Sequence, residues 1–428
     1  MTPQQAKRPR MKGNDHSIVK KANKQLILNT ISETGAMTKE DIVFQTRLSR
    51  PTVVNLLQEL ESEGLVDTAG SAPSTVGRSA QLFEVGTNRF FAVGVDLEYP
   101  TLRVVVLDLR LRRVYSHQSA FSAGDDAETV IAQLYAEIGA AIEAIQNDGR
   151  EIVGICVGLP GLLDVRTNAS LHIERIPGWH GIPVGEMLTE RYGVPVVIRN
   201  DVHLMAQTHS WKDRDASDYV YISVRSGIGM AVFIGGTSFD GTMGNAGFIG
   251  HMTIQMDGEL CRCGKRGCLE TIFSEPALIG RYAALTSDRS REEPQTYAAI
   301  LDRFAAGDTA AGTVLAEAYR AFGVAISNTL KLLDIPVIVI NGLPLANRDV
   351  FVGWIRAGIQ GAMLDAVFAN VSIIAEDLDE DEKAMGAAMF VLRHYFVEPK
   401  LHLTPDAVRG EPVPGGFRFG VGLTPTAF

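Results

Sequence analysis

The stretch C-R-C-G-K-R-G-C-L-E, residues 261–270, holds three of the chain's four cysteines within eight positions. Such clustering reads as metal ligation in a reducing compartment, not as a disulfide framework. Ten residues before Cys261, the run G-H-M-T at 250–253 supplies His251. Three thiolates from Cys261, Cys263 and Cys268 and one imidazole suit a tetrahedral Zn2+ with no open position, a structural site of one ion per chain. Gly264 and Gly267 let the chain fold tightly round the ion. Two other readings stand beside this one: reduced cysteines holding no ion, and a catalytic zinc, which the absence of a vacant ligand position disfavours.

Around this segment lie G-L-P-G at 158–161, P-G-W at 177–179 and N-D at 200–201. In order and spacing, from about residue 90 to 395, the set resembles the ROK family of repressors, open reading frames and kinases. The cysteine segment is the specific part; G-L-P-G alone would be weak. The resemblance implies an α/β fold with a pair of actin-like, ribonuclease-H-like (sugar-kinase-like) lobes and a ligand cleft between them. It implies the same four zinc ligands, with the imidazole's orientation shaping the pocket beside it.

It also implies roles in the cleft. In kinases of this family the aspartate of the Asn-Asp pair takes the proton from the sugar hydroxyl. Asp201 matches it, after Asn200, as a vestigial base position. His251 and Glu270 match the family's sugar-contacting histidine and glutamate. Two positions depart: Arg175 stands where the family usually has Asn, and Phe248 where it usually has Glu. A cation and an aromatic ring thus replace two neutral-sugar contacts, and Arg175 points towards a ligand carrying a carboxylate or phosphate, which a guanidinium pairs bidentately.

The nucleotide side departs further. The family's D-x-G-G-T, whose glycines let backbone N–H groups approach phosphate, here runs Asp96, Leu97, Glu98, Tyr99. The second motif, G-T-G, reads Arg225-Ser226-Gly227, and a third Gly-Gly reads Asn341-Gly342. Side chains fill places where phosphate needs bare backbone, and Glu98 would repel it. Phosphoryl transfer depends on positioning and charge stabilisation, so no enzyme activity is expected.

The front of the chain has a different pattern. Ile27, Leu28 and Ile31 form a helical stripe from about Ile18 to Glu33, ended by Gly35. Thr38 and Asp41 form a capping box for a short helix reaching Thr46. Ser49 caps a third helix with Pro51 in its first turn, and Val53, Leu56, Leu57 and Leu60 make its apolar face. Leu65-Val66 and Gln81 to Val85 read as strands around a Gly/Ser/Pro loop. Three helices, a tight turn and a ribbon make a winged helix-turn-helix, which matches the family's repressor branch, of the xylose and N-acetylglucosamine type. Arg50, Thr52 and Asn55, beside the cap Ser49, are expected on bases or phosphates, and Arg47 and Arg78 on the backbone or minor groove.

Charge supports this division. The net charge is -10, which alone argues against nucleic acid, yet residues 1–88 hold 11 Lys+Arg against 9 Asp+Glu. Lys7, Arg8, Arg10, Lys12, Lys20, Lys21 and Lys24 face one acid, Asp15, in a basic arm able to neutralise phosphates. No apolar run approaches the ~18 residues of a membrane span, and the basic N-terminus has no apolar h-region, so a cytoplasmic protein is expected. The expected organisation is a DNA-binding domain over 1–88, a first lobe over 89–200, a second lobe over 201–397 whose C-terminal helix returns to the first, and a Pro/Gly-rich tail over 398–428. The expected function is a ligand-responsive regulator: a homodimer or dimer of dimers on operator DNA, with a sugar or sugar derivative as effector. An active sugar kinase with a DNA-binding appendage, a zinc-dependent hydrolase and a DNA-binding dimer without effector are the competing readings.

Overall fold

The computed structural model describes residues 16–72, 79–122, 124–146, 149–213, 216–225, 227–286 and 296–397. Arg78, the basic residues at 7–12 and the tail at 398–428 lie outside the described residues.

The front is a winged helix-turn-helix: α1 (His16–Thr34), β1 (Met37–Thr38), α2 (Lys39–Thr46), α3 (Arg50–Ser62), β2 (Val66–Ser71) and β3 (Gln81–Val85). The expected caps form. Thr38 and Asp41 bond reciprocally to each other's backbone N–H, and Ser49 accepts from Thr52 N. Val53, Leu56, Leu57 and Leu60 are buried against Ile27, Leu28, Ile31 and Ile42. The ribbon has a third strand that the sequence reading missed: β1 pairs with β3 through Met37 and Phe83. Two residues are too short to show a period-2 pattern.

The rest of the chain forms two lobes with one topology. Lobe 1 contains β4 (Phe90–Glu98), β5 (Thr101–Asp108), β6 (Arg113–Ala120), α4 (Ala127–Ile145), β7 (Glu151–Leu159), β8 (Leu162–Asp164), β9 (Ala169–His172), β10 (His180–Ile182), α5 (Val184–Tyr192) and β11 (Val196–Asn200). Its main sheet runs β11-β7-β4-β5-β6, with β4, β7 and β11 parallel. The β4–β5 hairpin turns at Tyr99-Pro100. Lobe 2 contains α6 (Asp201–Lys212), β12 (Tyr219–Val224), β13 (Ile228–Ile234), β14 (Thr237–Ser238), a short 3₁₀ turn (Ile249–His251), α7 (Glu270–Phe273), α8 (Glu275–Thr286), α9 (Tyr297–Ala305), α10 (Thr309–Leu333), β15 (Val337–Asn341), α11 (Arg348–Ala362), α12 (Asp365–Phe368) and β16 (Ser372–Glu376). Its sheet, β14-β13-β12-β15-β16, repeats the order of the first: antiparallel hairpins on one side, parallel strands on the other. The carboxyl ends of β4, β11, β12, β15 and β16 therefore face the cleft between the lobes, where ligands of open α/β sheets bind.

The last helix, α13 (Glu380–Val397), leaves lobe 2 and packs on β4, β5, β7 and α6, and also meets α1. Glycine permits two of these approaches. A Cβ on Gly386 would lie 1.9 Å from the Leu204 carbonyl of α6, and one on Gly94 would lie 2.4 Å from the Ala384 carbonyl. One apolar cluster runs without a break from Ile27 and Leu57 through Phe90 and Val95 to Val391 and Leu392. The winged helix-turn-helix, lobe 1 and α13 thus share a core, and lobe 2 has its own around Phe322 and Phe351. Among the described residues, no helix is long and apolar enough to cross a membrane.

Candidate ligand cleft, metal centre and DNA-reading helix

On α3 the residues singled out for DNA sit at its exposed amino end. Arg50, Ser49 and Asn55 are exposed, and Arg47 is exposed in the left-handed turn between α2 and α3. Three of these are already engaged within the chain. Ser49 Oγ and Thr52 Oγ1 lie 2.8 Å apart within the cap, and Arg50 Nη2 lies 2.8 Å from Glu40 Oε1. Both bonds are exposed, where exchange for a phosphate or base edge costs little.

The metal centre gathers as expected. The ligand atoms of His251, Cys261, Cys263 and Cys268 all lie within 4.8 Å of one another. Cys261 Sγ is 3.8 Å from His251 Nδ1, and Cys263 Sγ is 3.7 Å from Cys268 Sγ. The edge of a tetrahedron with ~2.3 Å metal–sulfur bonds is about 3.8 Å, so the cluster can hold a metal ion. Gly267 takes a positive φ where a Cβ would strike the Gln255 carbonyl, which lets the loop close. Burial and the neighbouring sulfurs push the Cys268 thiol up to about 12; only a cation makes it a thiolate at neutral pH. Nδ1 faces the sulfurs, so Nε2 is the nitrogen of His251 left for other partners.

The cleft is built on β11, α6 and the turn between β12 and β13. Asn200 caps α6, its side chain accepting from Val202 N at 3.1 Å. Asp201 is the first residue of α6 and is buried. Glu270, at the head of α7, accepts from Ile228 N at 3.2 Å, and its Oε1 fills the space beside Gly227 and Gly250. The turn at 225–228 thus connects Asp201 with Glu270, and Gly250 brings His251 alongside. Arg175 sits half-buried in the turn between β9 and β10, in lobe 1. Phe248 is partly exposed, its ring 6.2 Å from that of His251. Trp179 of P-G-W is a core residue whose Nε1 donates to Ser170 Oγ at 2.8 Å.

The sequence reading missed what Arg225 does. It took this position as a lost glycine. Arg225 Nη2 lies 2.5 Å from Asp201 Oδ2, and Nη1 lies 3.2 Å from Asp96 Oδ2 and 3.0 Å from Glu98 Oε2. Glu98, expected as a group that repels phosphate, is paired. Arg103 Nη1 lies 3.3 Å from both Asp96 Oδ2 and Glu98 Oε2. Burial lowers the Arg225 guanidinium, but Asp96, Glu98 and Asp201 outweigh it and hold it above its ordinary value. Burial lifts the Asp201 carboxyl above its ordinary range, with Arg225 pulling the other way. Arg225 Nη2 thus occupies an oxygen of the aspartate that, in the family's kinases, takes the sugar hydroxyl's proton.

Two further residues brace the cleft without a sequence signal. Asn245 reaches from lobe 2 to bond both N and O of Leu163 in β8, at 2.9 and 2.7 Å. His203, buried on α6, places Nδ1 2.8 Å from Asp240 Oδ1 and Nε2 2.8 Å from the Ala246 carbonyl, so it pins the 238–248 loop at two points. Burial lowers its pKa, but the Asp240 bond and charge more than offset this, and the net shift is upward.

Known proteins are similar to this chain over most of its length. The xylose repressor of Caldicellulosiruptor bescii is 24% identical, over 88% of this chain and 97% of its own length. The DNA-binding transcriptional dual regulator NagC of Escherichia coli (strain K12) is 28% identical, over 88% and 93%. Among solved structures, a ROK family transcriptional regulator, a homolog of the E. coli MLC protein, superposes with a TM-score of 0.74 at 21% identity, over 88% of this chain and 97% of that one. The ROK hexokinase of Thermus thermophilus superposes with a TM-score of 0.58 at 26% identity, over 70% and 97%. The profile of the ROK family matches residues 92–394, and the chain belongs to that family.

Proposed function

We propose that this chain is a DNA-binding transcriptional regulator, a repressor of sugar or related carbon-source genes, whose ROK body binds an effector and no longer transfers phosphoryl groups. The observation that carries the reading is the pairing of a winged helix-turn-helix with a cleft in which Arg225 holds the base aspartate. Repressor names among full-length relatives, xylose repressors and N-acetylglucosamine repressors, support it, and they direct the effector towards a sugar such as xylose or N-acetylglucosamine. Asn200, Asp201, His251 and Glu270 are the contacts proposed for its hydroxyls, and Arg175 for any acidic group it carries. The DNA contacts proposed are Arg47, Ser49, Arg50, Thr52, Asn55 and Arg78. The His251, Cys261, Cys263, Cys268 cluster holds one structural Zn2+, which fixes the 251–268 loop. The protein works in the cytoplasm as a two-fold dimer or dimer of dimers, because one recognition helix reads too few bases for specificity. Residues 1–88 read DNA, 89–200 and 201–397 form the lobes, and 398–428 form the tail.

A mobility shift on DNA beside the protein's own gene tests this. Full-length protein should bind specifically, and Arg50→Ala should weaken specific binding more than non-specific binding. Equal binding to unrelated DNA would sink the reading. A coupled ADP-release assay over a panel of hexoses should stay at background; turnover that vanishes in Asp201→Ala would restore the kinase.

A further inference from the structure

The cleft holds charges that neither a sugar nor an operator calls for. Asp96 and Glu98 end β4, and Arg103 faces Asp96 across the β4–β5 ladder. Asp201 heads α6, Arg225 comes from the β12–β13 turn, and Glu380 and Lys383 open α13. Arg103 pairs with Glu380, and Lys383 Nζ reaches Glu380 Oε1 at 2.8 Å and Glu98 Oε2 at 4.0 Å. Arg113 of β6 pairs with Asp381, and Lys212 of α6 lies 2.7 Å from Glu382. Among the described residues, Arg225 is the member that lobe 2's sheet contributes. Two of them, Glu98 and Arg225, stand at positions where the family's phosphate motifs have glycine.

We propose that Arg225 is an intramolecular clasp, which closes lobe 2 on lobe 1 in the space that phosphates have vacated, and that α13 carries its opening to the DNA-reading head. The clasp's use in regulation rests on the function proposed above; its mechanics do not. Asp96 Oδ2 and Glu98 Oε2 each serve both Arg103 and Arg225, so withdrawing Arg225 leaves Asp96, Glu98 and Glu380 to share Arg103, with Lys383 4.0 Å from Glu98, and takes from Asp201 its paired cation. Buried groups of this kind are strongly unfavourable half-paired, whereas in water the same pairs are worth little. The cluster is therefore either closed and dry or open and wet, with little between. A hydroxylated ligand that reaches Asp201 crowds Arg225 Nη2, which lies 2.5 Å from Asp201 Oδ2, so the effector and Arg225 draw on one carboxylate. The relay is mechanical. The first turn of α13 sits in the cluster. The helix meets the backbones of Leu204 at Gly386 and of Gly94 at Ala384, which leaves no side-chain padding to absorb a shift. Further along, α13 meets α1.

Hydrogen exchange on the full-length protein tests this, with wild type, Arg225→Gln and Arg225→Lys. In Arg225→Gln, amides at 96–98, 225–228 and 380–386 should exchange about tenfold faster or more, and those of α1 over 20–33 should follow. Amides of α10 should keep wild-type rates and report an intact fold. Arg225→Lys, which keeps the charge but reaches fewer carboxylates, should fall between, and it decides the matter should the Gln variant not fold. Acceleration confined to 225–228, with α13 at its wild-type rate in whichever variants fold, overturns the clasp. That failure is separable from failure of the regulator reading. Wild type that binds no operator sinks the regulator and leaves the exchange result standing; an unmoved α13 sinks the clasp and leaves operator binding intact.

Discussion

Single side chains divide here into those whose role is local and those whose partner is distant. Cys263 is the exposed member of its cluster, and its sulfur is the fourth ligand proposed for the zinc. Cys263→Ser should lower metal content from about one zinc per chain to near zero and reduce thermal stability; elemental analysis that still finds one zinc would refute the ligand set. His203 gives a pH test. Its folded pKa is raised, so its contribution is complete below the ordinary value of ~6.5 and is lost as pH rises through the raised value. Unfolding measured across that window should show stability falling with pH in wild type, and the fall should be absent in His203→Gln. Arg50 is held by Glu40. Glu40→Gln should therefore release a cation beside the phosphates and tighten DNA binding, with little change in stability, since exposed pairs contribute about 0–1 kcal/mol. The metal ligands were legible because they lie close together in sequence and have a distinctive chemistry. Arg225 was not, because its partners lie 24, 127 and 129 positions away and the residue itself carries no pattern.

At the level of helices and strands, legibility followed the range of the interaction that fixes each one. The starts of α2 and α3 were read from Thr38, Asp41, Ser49 and Pro51 because caps act within three residues. The strands β4, β5, β7, β11 and β12 are dense apolar runs, a signal local to each segment. The two-residue β1 exists only because Phe83 is there to pair with it. Two perturbations separate these cases. Thr38→Ala removes a capping box and should cost about 1 kcal/mol in urea unfolding without touching the cleft. Gly386→Ala places a methyl on the Leu204 carbonyl. It should cost about 1–3 kcal/mol or more and also shift operator affinity, because α13 touches cleft and head alike. A Gly386→Ala protein with wild-type stability and DNA binding would mean that α13 has more slack than its backbone contacts imply.

Over the whole chain, charge is divided as the functions are. Residues 1–88 carry more basic than acidic side chains, and the remainder carries 29 Lys+Arg against 41 Asp+Glu. With residues 1–88 as the proposed DNA-reading part and an acidic remainder, operator binding should be strongly salt-sensitive. A dimer neutralising 6–10 phosphates should lose roughly 10³–10⁵ in affinity between 50 and 200 mM salt, and a flat salt response would contradict the head-and-body division. The body's two lobes were legible through motif order; the way the head is fastened to it was not, since no motif marks that seam. Arg89 Nη1 donates to the Glu63 carbonyl at 3.1 Å and Arg110 holds Glu84 at 2.9 Å, both above a continuous apolar cluster. That seam limits how such regulators can be recombined. Grafting a foreign reading head at residue 88 would pair mismatched apolar faces, so chimeras with new operator preference should succeed only when the donor also supplies Phe90, Phe91 and the matching surface of α13. Calorimetry of the native chain should register head and first lobe melting in one step, as a welded part does, and not as a detachable tool.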